Sequence, residues 1–366
     1  MNMGLKALIF SGVLFCFSAV SADVTIVVNK GPFASVEAGA FSEEQTNFLD
    51  DEFEDDRACS ECYAAVELAK YIGKGVDLES DEIEFSSKLE LPKSGEVFVL
   101  GSKKSNQLIK ELEEPNDYTL ENEQSFRISS YEDNGRVVTA IEGGDREGVL
   151  YGVYDYLNLV GVEFIGLGEK GMVFAEEKNE LPVGLEIVEN PSYVSRGFWS
   201  RDDHEPNEIF FKWMSRNKLN FWTAENQPAK YLKKLAFRLT GGGHDIHLKY
   251  FNPVHEYPFN HPLFEGDEDK PDDPYDVGDE YQGDVNNDGV LSYHEAHQEW
   301  FGWKFGKRTT FVRDWKGSSF CISNLDARKE FGRRLVEQFT DGDWQYVDVL
   351  NFWMLDGGQK QWCGCE

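Results

Sequence analysis

The sequence has few basic residues for its length, with 36 lysines and arginines against 67 aspartates and glutamates in 366 residues, a formal net charge of −31. A surface of this sign repels phosphate groups and anionic lipids, which argues against nucleic acid and membrane surfaces as partners. Internal repeats and low-complexity tracts are also missing. Aromatic residues make up 14% and hydrophobic residues 40% of the chain, which indicates a folded protein with a sizeable core.

Long apolar runs are absent beyond residue 22, so we expect no later membrane-spanning helix. Residues 1–22 combine Lys6, an apolar stretch from Ala7 to Val20 and the small residues Ser21 and Ala22, a pattern typical of a cleaved signal peptide. An uncleaved anchor is the alternative, which the short apolar run disfavours. We therefore predict a secreted or periplasmic protein with no membrane insertion after signal cleavage; the sequence leaves its oligomeric state undetermined.

Cysteine is scarce, and the residues after the signal peptide hold an odd number: Cys59, Cys62, Cys321, Cys363 and Cys365. Cys59 and Cys62 lie at the start of a predicted helix, where the helix dipole lowers a thiol pKa and permits redox chemistry. The sequence around them lacks the strand that precedes such a pair in thioredoxin-like proteins. A structural disulfide or two unpaired thiols is therefore favoured over catalysis.

The first part of the mature chain, residues 23–190, is predicted to be an α/β domain with a sandwich-like arrangement. Its predicted strands are 24–28, 97–100, 126–130, 137–142 and 162–165, and its predicted helices are 58–73, 105–112 and 148–159. Pro182 and Pro191 bracket the linker that ends this domain.

From residue 191 to residue 366 the pattern changes to strand–helix pairs. The predicted strands are 193–199, 220–223, 246–251, 320–322 and 347–355, and the predicted helices are 207–218, 229–239 and 326–339. This order is typical of the first units of a (β/α) TIM barrel, but a complete barrel needs roughly 250 residues. We therefore predict an incomplete TIM-barrel-like domain, from either a truncated chain or an open sheet, with an insertion at residues 252–319.

A calcium-binding loop is predicted inside the insertion, at residues 284–295. The pattern matches the 12-residue loop of EF-hand proteins, in which oxygen ligands recur at fixed positions and a glycine permits the sharp turn at Gly289. The predicted ligands of Ca²⁺ are Asp284, Asn286, Asp288, the carbonyl of Val290, Ser292 and Glu295. Leu291 is expected to anchor the loop in the core, and residues 292–303 to form the helix that leaves it. The segment before the loop is not amphipathic, so the loop is similar to the half-motifs of dockerin modules, with a stabilising role.

Several polar residues follow the predicted barrel strands, where the active sites of barrels lie. Glu225 follows the second predicted strand and Asp356 the last, while His244, Asp245 and His247 lie around the third. Indoles such as Trp222 and Trp353 are numerous nearby, and carbohydrate sites use indoles as flat apolar platforms. Core packing is the alternative for each tryptophan, and a structural histidine is the alternative for His244. On a predicted strand, His244 and His247 would point to opposite faces. They are therefore poor joint metal ligands.

The sequence also resembles known carbohydrate-active families. Cys62 to Ile72, Val97 to Gly101 and Gly148 to Leu157 resemble the α/β domain that precedes the barrel in family 20 hexosaminidases and family 67 α-glucuronidases. The segments from Pro191 onward, including Gly241–His244 and Trp362 to Cys365, are similar to the bacterial domain of unknown function 4838, itself glycoside-hydrolase-like. This resemblance implies that Arg196 binds sugar hydroxyls, as an arginine after the first barrel strand does in family 20. A structural ion pair is the alternative for Arg196.

Family 20 enzymes carry an adjacent Asp-Glu pair after the fourth barrel strand, with the glutamate as general acid. Here Gly357 follows Asp356, so the adjacent acid is absent and the resemblance fails at this point. Glycosidases use two carboxyl groups about 5 Å apart for retention or about 6.5–9.5 Å apart for inversion. Asp356 is the predicted catalytic residue, and Glu225 or Glu366 is a candidate for the second.

We therefore predict an exported glycoside-hydrolase-like protein that cleaves a polysaccharide or glycoconjugate. The alternative is a non-catalytic, calcium-stabilised carbohydrate-binding or scaffolding protein, and a thiol oxidoreductase is a third hypothesis.

Overall fold

The computed structural model describes residues 24–76, 78, 82–112, 118–177, 180–198, 207–244, 246–304, 306–308, 320–353 and 363–365. The predicted signal peptide, residues 1–22, lies outside these ranges. The helices are α1 Val36–Ala40, α2 Glu54–Gly75, α3 Gln107–Glu111, α4 Arg146–Leu159, α5 Glu208–Arg216, α6 Ala229–Lys234, α7 Ile246–Tyr250, α8 Tyr293–Ala296 and α9 Leu325–Thr340. The strands are β1 Val24–Val27, β2 Ile83–Ser86, β3 Glu96–Ser102, β4 Phe126–Asp133, β5 Arg136–Gly143, β6 Val162–Phe164, β7 Met172–Phe174, β8 Glu186–Glu189, β9 Phe221–Thr223, β10 Arg238–Gly243, β11 Trp303–Lys304, β12 Lys307–Arg308 and β13 Val349–Phe352.

The chain divides into two compact units. The first comprises the residues up to Gly39 together with Glu61–Glu163 and Val173–Asn190, and the second comprises Ala40–Ser60, Phe164–Met172 and the residues from Pro191 onward. Within the described ranges, no helix has both the length and the apolar character needed to span a membrane.

The first unit is built on a six-stranded sheet in the order β2-β1-β3-β5-β4-β8. The pairs β1–β2, β1–β3 and β3–β5 are parallel, and β4 pairs antiparallel with β5 and β8. All four residues of β1 are buried, as expected for a central strand covered on both faces. Helix α4 packs on this sheet and begins at Asp145, whose side chain accepts a hydrogen bond from the backbone N–H of Arg146.

The second unit holds a three-stranded parallel sheet in the order β13-β10-β9. Gly197 forms a further parallel bridge with Phe221 of β9. Four chain segments thus lie side by side in sequence order, as successive strands do in a (β/α) barrel. Together with the mostly parallel sheet of the first unit, this confirms the predicted α/β fold with a partial barrel.

The third barrel strand lies earlier in the chain than predicted. A strand was expected at 246–251 and a helix through 229–239, whereas α6 ends at Lys234 and β10 spans Arg238–Gly243. Ala236 adopts a φ of 67°, a left-handed conformation that ends the helix. The three glycines of β10 resemble a turn in the sequence, but a Cβ on Gly241 would lie 3.0 Å from the Trp344 indole. Strand β10 therefore needs glycine for close packing, and residues 246–250 form α7.

The other barrel segments are shorter than predicted. Within the predicted strand 193–199, Gly197 forms an isolated bridge with Phe221. Within the predicted strand 320–322, Phe320 forms an isolated bridge with Phe301. The helix expected at 292–303 is limited to α8 and a 3₁₀ turn at Gln298–Trp300. His297, with φ −143° and ψ 78°, separates the two.

The insertion shares an aromatic core with α7, α9 and Trp344. Tyr257, Tyr293, Trp300 and Phe301 are each at most 2% exposed, and they belong to one cluster with Phe251. Leu291, from the predicted calcium loop, is fully buried in the same cluster, as the sequence predicted. Burial of so many rings gives this long segment a defined structure despite its short helices.

Candidate functional site

The carboxyl ends of β10 and β13 form the candidate site. The two strands are parallel, with Gly243 opposite Phe352, so the residues that follow each strand meet at one edge. The backbone N–H of Trp353 donates to the carbonyl of Gly243 at 3.3 Å and extends this pairing by one residue. Barrel enzymes carry their active sites at this edge.

His244 and Trp353 are in contact at this edge. Their ring centroids lie 5.0 Å apart with an interplanar angle of 62°. Trp353 is 42% exposed and the neighbouring Phe352 is 57% exposed, so the edge presents apolar rings to solvent. His244 is half-buried, and its imidazole adds polar ring nitrogens beside the indole. An exposed indole beside a polar side chain is able to stack on a sugar ring and hydrogen-bond its hydroxyls.

The predicted catalytic residue, Asp356, lies outside the described residues, as does Asp245. Glu366, one candidate for the second carboxyl group, also lies outside them.

Glu225, the other candidate, follows β9 and pairs with a lysine. Its Oε1 lies 3.2 Å from Nζ of Lys249, which also approaches Asp343 at 3.5 Å. Burial lowers the pKa of Lys249, but hydrogen bonding to Tyr250 and the charge of Glu225 outweigh burial and raise this pKa. Lys249 therefore stays charged at neutral pH, and a catalytic role for Glu225 requires this ion pair to break.

Arg196 lies beside the start of β9. Its Nε donates to the carbonyl of Lys218 at 2.8 Å, and its guanidinium also bonds the carbonyl of Tyr193. Its backbone N–H donates to Oδ1 of Asn220 at 2.8 Å. These contacts give Arg196 a structural role at the amino end of β9, and its binding to sugar hydroxyls stays a prediction.

Trp222 is a packing residue, which corrects the predicted sugar platform. It is 5% exposed, and its ring meets Phe210 and Phe211 of α5 at centroid distances of 5.4 and 6.0 Å. Successive residues of a strand point to opposite faces, so Trp222 faces α5 between the half-buried Phe221 and Thr223. Too little of its ring is accessible to stack on a sugar.

The loop at residues 284–295 folds around its own acceptors. The Asp284 carboxylate accepts N–H bonds from Asp288 at 3.3 Å and Gly289 at 2.9 Å. Oδ1 of Asn286 accepts from the N–H of Asp288 at 2.8 Å, and Oδ1 of Asp288 accepts from the N–H of Val290 at 3.1 Å. Gly289 has a φ of 88°, which the sharp turn requires.

The last predicted ligand closes the loop. Oε1 of Glu295 accepts from the N–H of Val285 at 3.1 Å, and Oε2 accepts from the N–H of Ser292 at 3.0 Å and its Oγ at 2.7 Å. The Leu291 carbonyl accepts the N–H of Tyr257 at 2.7 Å, which fixes the loop to the core. Glu295 is thus turned toward the start of the loop.

The donor set fits a hard cation. Carboxylate, amide, hydroxyl and carbonyl oxygens are the ligands that Ca²⁺ takes, usually six to eight of them. The three carboxylates of the loop belong to Asp284, Asp288 and Glu295. Their oxygen atoms do not all lie within 4.8 Å of one another. Opposite ligands of Ca²⁺ lie about 4.8 Å apart at a bond length of about 2.4 Å. Cation binding therefore requires the carboxylate oxygens to move closer together.

A buried polar network in the insertion was missed by the sequence analysis. Nδ1 of His297 lies 2.9 Å from Oε1 of Glu299, and its Nε2 lies 2.9 Å from the hydroxyl of Tyr257 and 3.7 Å from Oδ2 of Asp273. Burial lowers the pKa of His297, but the two carboxylates outweigh burial and raise it. The ring of His297 also stacks on Trp300 at 3.9 Å. Its partners Glu299, Asp273 and Tyr257 lie 2, 24 and 40 residues away in sequence, and no sequence pattern connects them.

His247, noted with His244 in the sequence, lies in α7 and not in a strand. The cysteines of the third hypothesis, Cys59 and Cys62, are both buried and not disulfide-bonded. Burial raises the pKa of Cys59, although hydrogen bonds with Ser42 and Thr46 oppose it. A raised pKa disfavours the thiolate that redox catalysis needs.

Cys321, Cys363 and Cys365 form a group, with all three Sγ atoms within 4.8 Å of one another. Burial raises the pKa of Cys363, but the N–H of Trp303 and the neighbouring thiols outweigh burial and lower it. Hydrogen bonding with Cys363 and Cys321 raises the pKa of Cys365 to about 11. The sequence gives Cys363 and Cys365 as neighbours but does not indicate that Cys321 joins them.

Comparison with known proteins gives distant structural neighbours. No protein family model matches the chain, so the resemblance to the domain of unknown function 4838 has no support there. No curated protein matches it either. A family GH115 4-O-methyl-α-glucuronidase with specificity for decorated arabinogalactans is similar at 13% identity and a TM-score of 0.40 over 89% of this chain.

Two further solved structures are similar over shorter parts of the chain. They are a GH138 enzyme targeting pectin rhamnogalacturonan II, at 12% identity and a TM-score of 0.30 over 59% of this chain, and CpGH84D, at 14% identity and a TM-score of 0.32 over 60%. The chain covers 40% of the GH115 enzyme, 30% of the GH138 enzyme and 34% of CpGH84D.

Proposed function

We propose that the protein is an exported carbohydrate-active protein that binds a polysaccharide or glycoconjugate at the carboxyl edge of β9, β10 and β13. The observation that supports this most strongly is the contact between His244 and Trp353, with the indole 42% exposed. Each residue directly follows one of two paired parallel strands, where barrel ligands bind. The indole stacks on a sugar ring, and the imidazole of His244 contacts its hydroxyls.

The proposed reaction is hydrolysis of a glycosidic bond. Asp356 follows Trp353 by three residues and supplies one carboxyl group, either as general acid or as nucleophile. The second carboxyl group is Glu225, once its ion pair with Lys249 opens, or Glu366. One group protonates the leaving oxygen. The other either activates a water that attacks the anomeric carbon, or attacks that carbon itself to form a glycosyl–enzyme intermediate that water then hydrolyses.

Non-catalytic carbohydrate binding is the second candidate function. The ion pair between Glu225 and Lys249, at 3.2 Å, favours it, because a carboxylate neutralised in this way is a poor second catalytic group. In that case the same His244–Trp353 contact binds the glycan, and no bond is cleaved.

Calcium has a stabilising role in this proposal. Ca²⁺ binds Asp284, Asn286, Asp288, the Val290 carbonyl, Ser292 and Glu295, and so fixes a loop whose Leu291 lies in the insertion core. An exported protein meets calcium continuously, so the ion acts as a structural element.

The experiment is a screen of the purified protein against a panel of soluble polysaccharides and glycoconjugates. Binding is measured by affinity electrophoresis, and cleavage is measured by release of reducing ends. On a cleaved glycan, we expect Asp356→Asn to reduce turnover by at least 10³-fold, on the order of 4 kcal/mol in the barrier, while binding persists.

The variant Asp269→Asn is the matched control, because Asp269 is an exposed carboxylate of the second unit outside the ion pairs of Lys249. It is expected to keep full turnover. Turnover retained by Asp356→Asn would remove Asp356 from the reaction. Glycan binding by a protein that cleaves no member of the panel would favour the non-catalytic function.

A further inference from the structure

Three thiols converge in the second unit. Sγ of Cys363 lies 3.1 Å from Sγ of Cys365, which lies 3.5 Å from Sγ of Cys321. Among the described residues, these cysteines are the one group of three or more histidine, cysteine, aspartate or glutamate side chains whose ligand atoms all lie within 4.8 Å.

Backbone hydrogen bonds hold the three cysteines in place. The N–H of Cys321 donates to the carbonyl of Trp300 at 2.6 Å, and the N–H of Gly364 donates to the carbonyl of Trp303 at 2.8 Å. Two segments that lie more than 40 residues apart in sequence are thus fixed to the same short stretch, residues 300–303. These bonds bring the backbones of the cysteine segments together.

The environment of Cys363 suits a thiolate. The backbone N–H of Trp303 donates to its Sγ at 3.2 Å, and such hydrogen bonds orient and stabilise the sulfur ligands of metals. Arg308 lies close enough for its charge to interact with Cys321 and Cys363. Three thiolates and one divalent cation carry a net charge of −1, and Arg308, which already pairs with Glu280 at 3.0 Å, offsets it only in part.

The spacing of the sulfurs is that of thiols in contact and exceeds the length of a disulfide bond. A disulfide joins two sulfurs at about 2.05 Å and leaves the third thiol without a function. In tetrahedral zinc coordination, Zn–S bonds of about 2.3 Å place the sulfurs about 3.8 Å apart. The observed separations of 3.1 and 3.5 Å are closer to the sulfur spacing around zinc than to a disulfide bond. A shared cation also accounts for all three sulfurs.

We propose that Cys321, Cys363 and Cys365 bind one thiophilic divalent cation, Zn²⁺, as a structural site. The three thiolates occupy three of the four positions that zinc takes, and water or a further donor occupies the fourth. The ion ties Cys321 and the segment 363–365 to the insertion at Trp300 and Trp303. This site is chemically independent of the oxygen-lined loop at 284–295, because sulfur ligands select zinc and oxygen ligands select calcium.

The test measures metal in the full-length protein, purified without chelators after expression with added zinc. We expect about one zinc per chain by inductively coupled plasma mass spectrometry. The double variant Cys363→Ser, Cys365→Ser is expected to bind less than about a tenth of this amount. The matched control is Cys62→Ser, a buried thiol in the first unit, which keeps the zinc.

A second measurement needs no variant. Zinc is expected to protect Cys321, Cys363 and Cys365 of the folded wild-type protein from alkylation, and removal of zinc by a chelator is expected to expose them. Cobalt in place of zinc would give a thiolate-to-cobalt charge-transfer absorption. A disulfide between any two of these cysteines in the native protein, found by peptide mapping, would overturn the proposal. So would the absence of zinc binding by the reduced protein in excess zinc.

Discussion

The second unit contains two histidine–tryptophan pairs in opposite surroundings. His297 and Trp300 stack at 3.9 Å with an interplanar angle of 3°, and they are 0% and 1% exposed. His244 and Trp353 meet edge to face at 5.0 Å, with Trp353 42% exposed. The same two residue types therefore build a core in the insertion and an accessible surface at the sheet edge. Burial, rather than residue type, separates packing from ligand binding.

The largest expected difference between the pairs is in stability. Trp300→Ala removes a fully buried indole from the insertion core and is expected to cost about 3–5 kcal/mol. Trp353→Ala removes a partly exposed side chain and is expected to cost less than about 1 kcal/mol. Urea unfolding followed by far-UV circular dichroism measures both free energies. Equal losses would show that the sheet-edge pair is also a core element.

Calcium is expected to stabilise the insertion and not the sheet edge. At a calcium concentration of 100 times the dissociation constant, binding adds about 2.7 kcal/mol to the free energy of unfolding. Asp288→Ala is expected to abolish this gain, because it removes a ligand at the centre of the loop. The control Asp269→Ala removes an exposed carboxylate outside the loop and keeps the gain. A gain that persists in Asp288→Ala would place the ion elsewhere.

The pH dependence of stability sharpens the comparison further. Burial lowers the pKa of His297, but Asp273 and Glu299 outweigh burial and raise it above 6.5. Its protonated form therefore stabilises the folded state fully below about pH 6.5, and this contribution is lost as pH rises through the raised pKa. The stability difference between wild type and His297→Gln should shrink from pH 6 to pH 9.

Asp273 sets the lowest pH at which the stability difference reports on His297 alone. Burial raises the pKa of Asp273, but hydrogen bonds from His297, Tyr275 and Tyr257 outweigh burial and lower it below its ordinary 3.8. Its stabilising contribution is present above about pH 4 and is lost as pH falls through the lowered pKa. Measurements above pH 5 therefore report on His297. A difference that grows with pH would contradict a protonated His297.

Local patterns in the sequence predicted the local features of the molecule. Hydrophobic periodicity located α4 and α9, and ligand spacing located the loop at 284–295, whose Leu291 is buried as predicted. These features depend on residues within about one helix or loop. Their signals are therefore complete in a short stretch of sequence.

Features assembled from distant residues were not predictable in this way. The triple glycine of β10 is typical of a turn, and the close approach of Trp344 and Val347 to Gly241 and of Asn351 to Gly242 shows why this strand lacks side chains. Trp222 was expected at a sugar site, yet the helix α5 that covers it is set by tertiary packing. The His297 network and the Cys321 contact with Cys365 likewise join residues that no spacing rule connects.

The central claim is that the exposed His244–Trp353 pair binds carbohydrate, and glycan affinity tests it most directly. On a glycan bound by the wild-type protein, Trp353→Ala is expected to raise the dissociation constant at least tenfold, about 1.4 kcal/mol. Trp303→Ala, which removes an indole of similar exposure, 39%, is expected to leave the affinity unchanged. An unchanged affinity in Trp353→Ala would contradict the account and place the carbohydrate site elsewhere on the protein.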